Sequence, residues 1–217
     1  MKNKTSLTKD AILKDPYNYT LKEMKDCLGE EMATDFFESL YKNKPKIQNQ
    51  TVKIKEVFNG KDTLKYAFEL SDGYCIETVC IKRKTGITVC VSTMVGCPVG
   101  CIFCASGKNG FIRNLSSSEI VQQIVLLKEK VNRIVFMGMG EPLLNYGEVI
   151  KAIHILRDRD GLNFPTDGIT ISTVGPINQL KKLREEHLKI QLTLSLHATS
   201  QVKRDKVMSH MRGNSID

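Results

Sequence analysis

Ile87-Thr-Val-Cys90-Val-Ser-Thr-Met94-Val-Gly-Cys97-Pro-Val-Gly-Cys101-Ile-Phe-Cys104 decides how the rest of the chain reads. Ile87–Met94 is apolar and β-branched and predicts a buried strand. A tight glycine-containing loop follows and puts three cysteines within eight residues. Downstream, helical and strand patterns alternate. A helix over about 117–130 opens on Ser116 and Glu119, a capping box, and carries Ile120, Ile124 and Leu127 on one face. Ile134–Met137 reads as a second strand, and a helix over about 146–158 starts after Asn145 and buries Val149, Ile150, Ile153 and Leu156. Ile169–Thr173 is a third strand. Pro176 suits the first turn of a helix reaching about Glu186, and Ile190–Leu196 is a fourth strand before a polar segment. Four βα units in succession predict a parallel sheet with right-handed crossovers, with ligand-binding residues at the C-terminal strand ends.

Toward the N-terminus the character changes. Val52–Val57, Leu64–Leu70 and Tyr74–Ile81 are short β-type runs separated by Asn59–Gly60 and Asp72–Gly73, which are hairpin signals. Residues before about 50 are polar, with short helices around Leu21–Leu28 and Ala33–Tyr41. The expected organisation is a helical accessory segment (1–50), a β-rich connecting segment (51–86) and an α/β core (87–217).

Composition bounds the function. No apolar run approaches the ~18 residues of a membrane span, and the basic opening Met1–Asp15 lacks an apolar secretory core. No membrane partner and a cytoplasmic location are therefore expected. A net charge of +8 and a pI near 9.1 favour a polyanionic partner or simply lysine-rich solubility. Lys82–Arg83–Lys84 and Lys108 to Arg113 are local basic clusters. Seven cysteines, an odd count with three crowded together, argue against a secreted disulfide framework and for a metal or cluster site.

Cys97, Cys101 and Cys104 can converge on three irons of a cubane cluster, leaving one iron open for a small molecule. Zinc is the competing reading, but it wants four ligands. The nearest histidine, His154, lies on a predicted helix, and Cys90 lies within a strand. The spacing, with an aromatic residue before the last cysteine, resembles the signature of radical S-adenosylmethionine (SAM) enzymes. Five ordered blocks narrow this to a resemblance to the RlmN/Cfr group of RNA adenosine methyltransferases. They are Cys90-Val-Ser-Thr-Met-Val-Gly-Cys97, Gly110-Phe-Ile-Arg-Asn-Leu115, Phe136-Met-Gly-Met-Gly-Glu-Pro-Leu-Leu-Asn145, Ile169-Thr-Ile-Ser-Thr173 and Leu194-Ser-Leu-His-Ala198.

The resemblance implies a partial (β/α) radical SAM barrel, about four of six βα units, preceded by a small helical segment and a short β-hairpin region. It implies a [4Fe–4S] cluster on Cys97, Cys101 and Cys104. SAM contacts are implied at Gly140, Glu141, Ser172, Ser195, Leu196 and His197. Gly138 and Gly140 also read as places where backbone can approach a ligand. The implied substrate is 23S rRNA and, in some members, tRNA, methylated at carbon 2 of an adenosine through a methyl-cysteine intermediate. Carbon 8, as in the Cfr branch, or a non-catalytic iron–sulfur or RNA-binding remnant are the alternatives. A flavodoxin or ferredoxin would supply electrons. In such an enzyme Cys90 resolves the covalent protein–RNA intermediate by attacking the methyl-bearing cysteine, and Glu77 accepts a proton. Read alone, Cys90 is a small buried hydrophobe and Glu77 the polar member of an alternating strand. The family's methyl-carrying cysteine lies after the last barrel strand, beyond Asp217, so a truncated form without methyl transfer of its own is expected. Thr93-Met94 and Met208-Ser-His-Met211 depart from the family pattern.

Overall fold

Alternating apolar and polar side chains between turn residues drive residues 52–91 into an antiparallel meander. The computed structural model describes residues 7–42, 50–208 and 215; Ser209–Met211, and with them most of the divergent segment 208–211, lie outside these. Three helices come first: α1 (Lys9–Lys14), α2 (Leu21–Leu28) and α3 (Glu30–Tyr41). Strands β1 (Val52–Asn59), β2 (Thr63–Leu70), β3 (Cys75–Arg83), β4 (Gly86–Val91) and β5 (Met94–Gly96) follow. Next come α4 (Ala105–Lys108), β6 (Phe111–Asn114), α5 (Ser117–Val125), β7 (Val131–Phe136) and α6 (Tyr146–Arg157). The last elements are β8 (Ile169–Thr173), α7 (Ile177–Glu185), β9 (Gln191–Leu194) and α8 (Gln201–Val207).

One seven-stranded sheet has the order β1-β2-β3-β4-β7-β8-β9, and β5-β6 form a separate hairpin. Strands β1 to β4 are antiparallel, whereas β4, β7, β8 and β9 are parallel. The connecting segment is therefore continuous with the α/β core: β3 pairs with β4 across residue 86. The N-terminal helices share that core too, with Met24, Phe37 and Leu40 fully buried. Ser117 Oγ donates to Asn18 Oδ1 at 2.7 Å, Ser118 bonds Asp15, and Lys151 pairs with Glu23 at 2.9 Å.

The expected strand Ile87–Met94 divides in two. At Ser92 both backbone groups are taken by one side chain: Ser92 N–H donates to Gln123 Oε1 (2.8 Å), and Gln123 Nε2 donates back to Ser92 C=O (2.9 Å), while Thr93 N–H turns to the Met139 carbonyl. With its ladder bonds used, the chain leaves the sheet at Ser92–Thr93, and Met94–Gly96 pairs instead with Phe111–Asn114. The cysteine loop thus follows this hairpin strand rather than β4, the first strand of the parallel core. The capping box of Ser116 and Glu119 forms as expected, but α5 ends at Val125 instead of near 130 because the chain must turn into β7. Pro176 is the N-cap of α7, one residue ahead of the helix.

Alternation sorts the sheet into two faces. Ile76, Thr78, Cys80, Val89, Val91, Ile134, Phe136, Ile169 and Ile171 point to the helix-covered side and are all buried. The intervening residues, among them Glu77, Val79, Cys90, Val135 and Thr170, face the other side and are exposed or half-buried. Strand β9 is exposed along its whole length, with Leu192 and Leu194 on the outside.

Candidate active site

The parallel strands all end on one side of the molecule, and the chemically distinctive residues gather there. After β7, Gly138 N–H donates to Val91 C=O (3.0 Å), and Thr93 N–H donates to Met139 C=O (2.8 Å). This close approach explains the glycines. A Cβ on Gly138 would meet the Val91–Ser92 backbone at 2.7 Å, and one on Gly140 (φ 104°) would meet Met94 at 2.7 Å. Their small size is required by the protein's own close packing, before any ligand is considered.

Glu141 is 3% exposed, and its carboxylate is spent inside the protein. Oε1 accepts from Thr173 Oγ1 (2.5 Å) and Leu143 N–H (3.0 Å), and Oε2 accepts from Val174 N–H (2.9 Å). It clasps the end of β7 to the end of β8. Burial pushes its carboxyl above the usual range, and the three donors only partly offset this. Contact of a ligand with Glu141 would fall to its backbone.

Ser172 Oγ lies 3.3 Å from Ser195 Oγ, joining the ends of β8 and β9 with two hydroxyls. Leu196 and His197 continue this edge. His197 has φ 61°, is exposed, and packs in a tilted contact, 4.8 Å between ring centroids, against Phe103 of the cysteine loop. Partial burial, then Arg204, lowers its pKa. The aromatic residue before the last cysteine thus ties the loop to the β9 end.

Cys97, Cys101 and Cys104 are free and half-buried. Cys97 and Cys101 pack against Val99, Val174 and Met208, and Cys101 bridges to Met208. Burial first, then the neighbouring thiols and Glu141, raise Cys97 to about 11. Among the described residues no three His, Cys, Asp or Glu side chains converge closely enough to hold a metal ion as they stand. The donor set nevertheless suits an iron–sulfur cluster, because it consists of three soft thiols that feel one another electrostatically on a single short loop.

Cys90 and Glu77 occupy the open sheet face. Cys90 pairs with Val79 of β3 and Val135 of β7, so it shares a face with Glu77, which lies two residues from Val79 along β3. Burial raises the Cys90 thiol to about 11, with a backbone hydrogen bond from Met137 opposing it. Glu77 is exposed, accepts from Lys65 Nζ at 2.9 Å, and lines a cleft of about 410 Å³ with Tyr74, Cys75, Val95, Ser106, Asn109 and Met139. The structure brings Cys90 and Glu77 to the face on which the strand-end residues converge. It does not place Glu77 against Cys90 directly.

Several organising residues were not anticipated from the sequence. Ser92 Oγ donates to Glu77 C=O (2.6 Å) and accepts from Met139 N–H (2.9 Å), linking β3, β4 and the glycine loop. Gln123, fully buried, fixes Ser92 from both sides and also accepts from Thr78 Oγ1 (2.7 Å). Gln122 does the same for the start of β1, accepting from Thr51 and Val52 N–H. Asn145 Nδ2 donates to the carbonyls of Thr93 and Leu115, both at 2.8 Å. Arg113 joins Asp72 (2.6 Å) and Glu119 (2.8 Å), holding the hairpin to β2–β3 and α5. Two adjacent glutamines among Ile120, Val121 and Ile124 were the available signal, since a helix that apolar must bury at least one of them.

Comparison with known proteins agrees with this geometry. Residues 91–217, more than half of the chain, match the model of the Radical SAM superfamily, and the chain belongs to that superfamily. Within it the likeness is to RNA methyltransferases of the RlmN type. A probable dual-specificity RNA methyltransferase RlmN of Pseudothermotoga lettingae is 47% identical over 78% of this chain and 51% of its own length. A probable RNA methyltransferase of Rhodopseudomonas palustris is 60% identical over 72% of this chain and 44% of its own. A solved radical SAM methyltransferase from Sphaerobacter thermophilus superposes with a TM-score of 0.84 at 30% identity, covering 89% of this chain and 66% of that one. The chain spans about half the length of the curated relatives it matches. No helix among the described residues is long and apolar enough to cross a membrane.

Proposed function

We propose that this chain carries the cluster- and SAM-holding part of a methyltransferase that places a methyl group on carbon 2 of an adenosine in 23S rRNA, and in tRNA as well. The observation that carries the reading is convergence. The cysteine loop, Gly140–Glu141, the Ser172–Ser195 pair and His197 share the C-terminal strand ends, and Cys90 and Glu77 lie on the open face below them. Cys97, Cys101 and Cys104 would hold the [4Fe–4S] cluster. When bound, the cluster and SAM supply the one-electron chemistry that makes an unreactive methyl carbon reactive.

The chain's own residues do the rest. Ser172 and Ser195 offer adjacent hydroxyls to the polar groups of SAM, and Leu196 and His197 wall the same edge. The backbone at Gly140–Glu141 presents carbonyl oxygen to the SAM amino group, while the Glu141 carboxylate keeps that loop in place. Glu77 accepts a proton at its carboxylate. Cys90 stays a thiol at neutral pH until a proton acceptor is presented, which keeps it unreactive before substrate arrives. A flavodoxin- or ferredoxin-like donor and a cytoplasmic location belong to the same proposal.

A chimera tests it. Residues 74–208 would replace the matching stretch of the Pseudothermotoga relative, and nucleosides from treated 23S rRNA would be mapped by mass spectrometry. The expected product is 2-methyladenosine, abolished by Cys90→Ala. An 8-methyladenosine product, or none from a chimera that holds cluster and SAM, would refute the assignment.

A further inference from the structure

At the opposite ends of the strands lies a feature that the reaction site does not use. The β1–β2 and β3–β4 turns sit side by side, joined by Lys82 N–H donating to Asp62 C=O at 2.8 Å. Between them is an open depression of about 660 Å³ lined by Asp62, Lys82, Arg83, Lys84 and Thr85. Lys61 precedes Asp62 on the first turn. Lys130 and Arg133 flank the start of β7, which pairs with β4 beside the second turn. All six cations are exposed. None of them takes part in the ion pairs found among the described residues. Of the nearby acids, Asp62 lines the depression, and Glu129 is occupied by the Tyr66 hydroxyl at 2.7 Å.

We infer that this basic ledge binds the phosphate backbone of the RNA substrate, away from the adenosine that reacts. The inference rests on the RNA reading under Proposed function and adds where the RNA is held. Lys82 and Arg83 end β3 and Lys84 stands in the two-residue turn to β4, so the backbone that carries the three cations is already ordered by strand pairing. They read no base identity, so they suit the sequence-independent recognition of a stem through its phosphates. Strand β4 separates the ledge from Ser92 at the reactive end by roughly 20 Å at ~3.3 Å per residue, a span that a short RNA stem bridges. Counterion release makes the contribution measurable as a salt dependence.

The test is fluorescence anisotropy of a labelled RNA hairpin titrated with the full chain at several salt concentrations. The variants are K82Q/R83Q/K84Q in the ledge and, as a control, K9Q/K14Q/K22Q on the N-terminal helices. Circular dichroism would confirm that each is folded. The ledge variant should bind roughly tenfold or more weakly, and its salt slope should fall by about 2 to 3, at ~0.7–0.9 for each phosphate no longer neutralised. The control should change both quantities far less. Wild-type binding with an unchanged ledge variant overturns the ledge alone. Wild-type protein that fails to bind the hairpin overturns the RNA reading and the ledge together.

Discussion

Replacing Gln123 by leucine tests whether a single buried amide holds the site together. The side chain is fully buried and is similar in size to leucine, so packing changes little. What disappears is its bonding: Oε1 no longer accepts from Thr78 Oγ1 or Ser92 N–H, and Nε2 no longer donates to Ser92 C=O or to the Glu119 carbonyl, which keeps its place in the α5 ladder. Three buried partners are left unsatisfied, at about 1–3 kcal/mol each. Rotation of the Thr78 hydroxyl and local relaxation recover part of that, leaving about 3–5 kcal/mol. For a chain of this size, ~2–4 °C per kcal/mol converts this to a fall in Tm of roughly 6–20 °C. The matched control is Gln122→Leu, which strips a comparable network from Thr51 and Val52 but leaves Ser92 untouched. Both variants should melt early by circular dichroism. Only Gln123→Leu should loosen Ser92, and with it the adjoining Cys90, so that iodoacetamide labels Cys90 several-fold faster under native conditions. A Tm within about 2 °C of wild type, or equal Cys90 labelling in the two variants, would refute the reasoning.

Other expectations follow from the same hydrogen bonds and burial. Because burial lifts the Cys90 thiol to about 11, its alkylation rate should still be climbing at about pH 9, and a midpoint at or below about pH 8.5 would contradict the environment described. Glu141 has a carboxyl raised by burial, so the fold binds its proton more readily than the unfolded chain does. Its contribution to stability should therefore be fully present below the ordinary glutamate range and be lost as pH rises from there through the raised value. Glu141→Gln should flatten this dependence in urea titrations compared with wild type. Gly138→Ala should cost about 1–3 kcal/mol through collision with the Val91–Ser92 backbone. Gly147→Ala, in α6 with open space around it, should instead stabilise by about 0.5–1 kcal/mol. Equal melting temperatures for these two variants would show that the close approach at Gly138 is unimportant.

The parallel core was legible because its signals are local. Residues 117–125 announce their helix with a capping box, and Ile169–Thr173 reads directly as a strand. The cysteine loop and the strand-end residues were legible as motifs. What escaped was anything set by hydrogen bonds between distant segments. Ile87–Met94 has uniform strand propensity, and it is divided at Ser92 by Gln123, about thirty residues on, and by the Gly138–Met139 backbone further still. The Gly138 and Gly140 motif suggested ligand approach, whereas the space it leaves is filled by a neighbouring strand. The sequence pointed to Glu141 as a SAM contact, but its burial and its bonds to Thr173 and Val174 depend on the β8 register, which sequence alone does not give. The continuity of β3 with β4 was hidden for the same reason: two local hairpin signals do not reveal which sheet they join.

The most direct test of the central claim is electron paramagnetic resonance on the anaerobically reconstituted, reduced protein, with and without SAM. A [4Fe–4S]⁺ signal that shifts on adding SAM, and that disappears on replacing Cys97, Cys101 or Cys104 by alanine, is the predicted result. A protein that assembles no such cluster, or whose signal SAM leaves unaltered, would contradict the assignment of these strand ends as a radical SAM site.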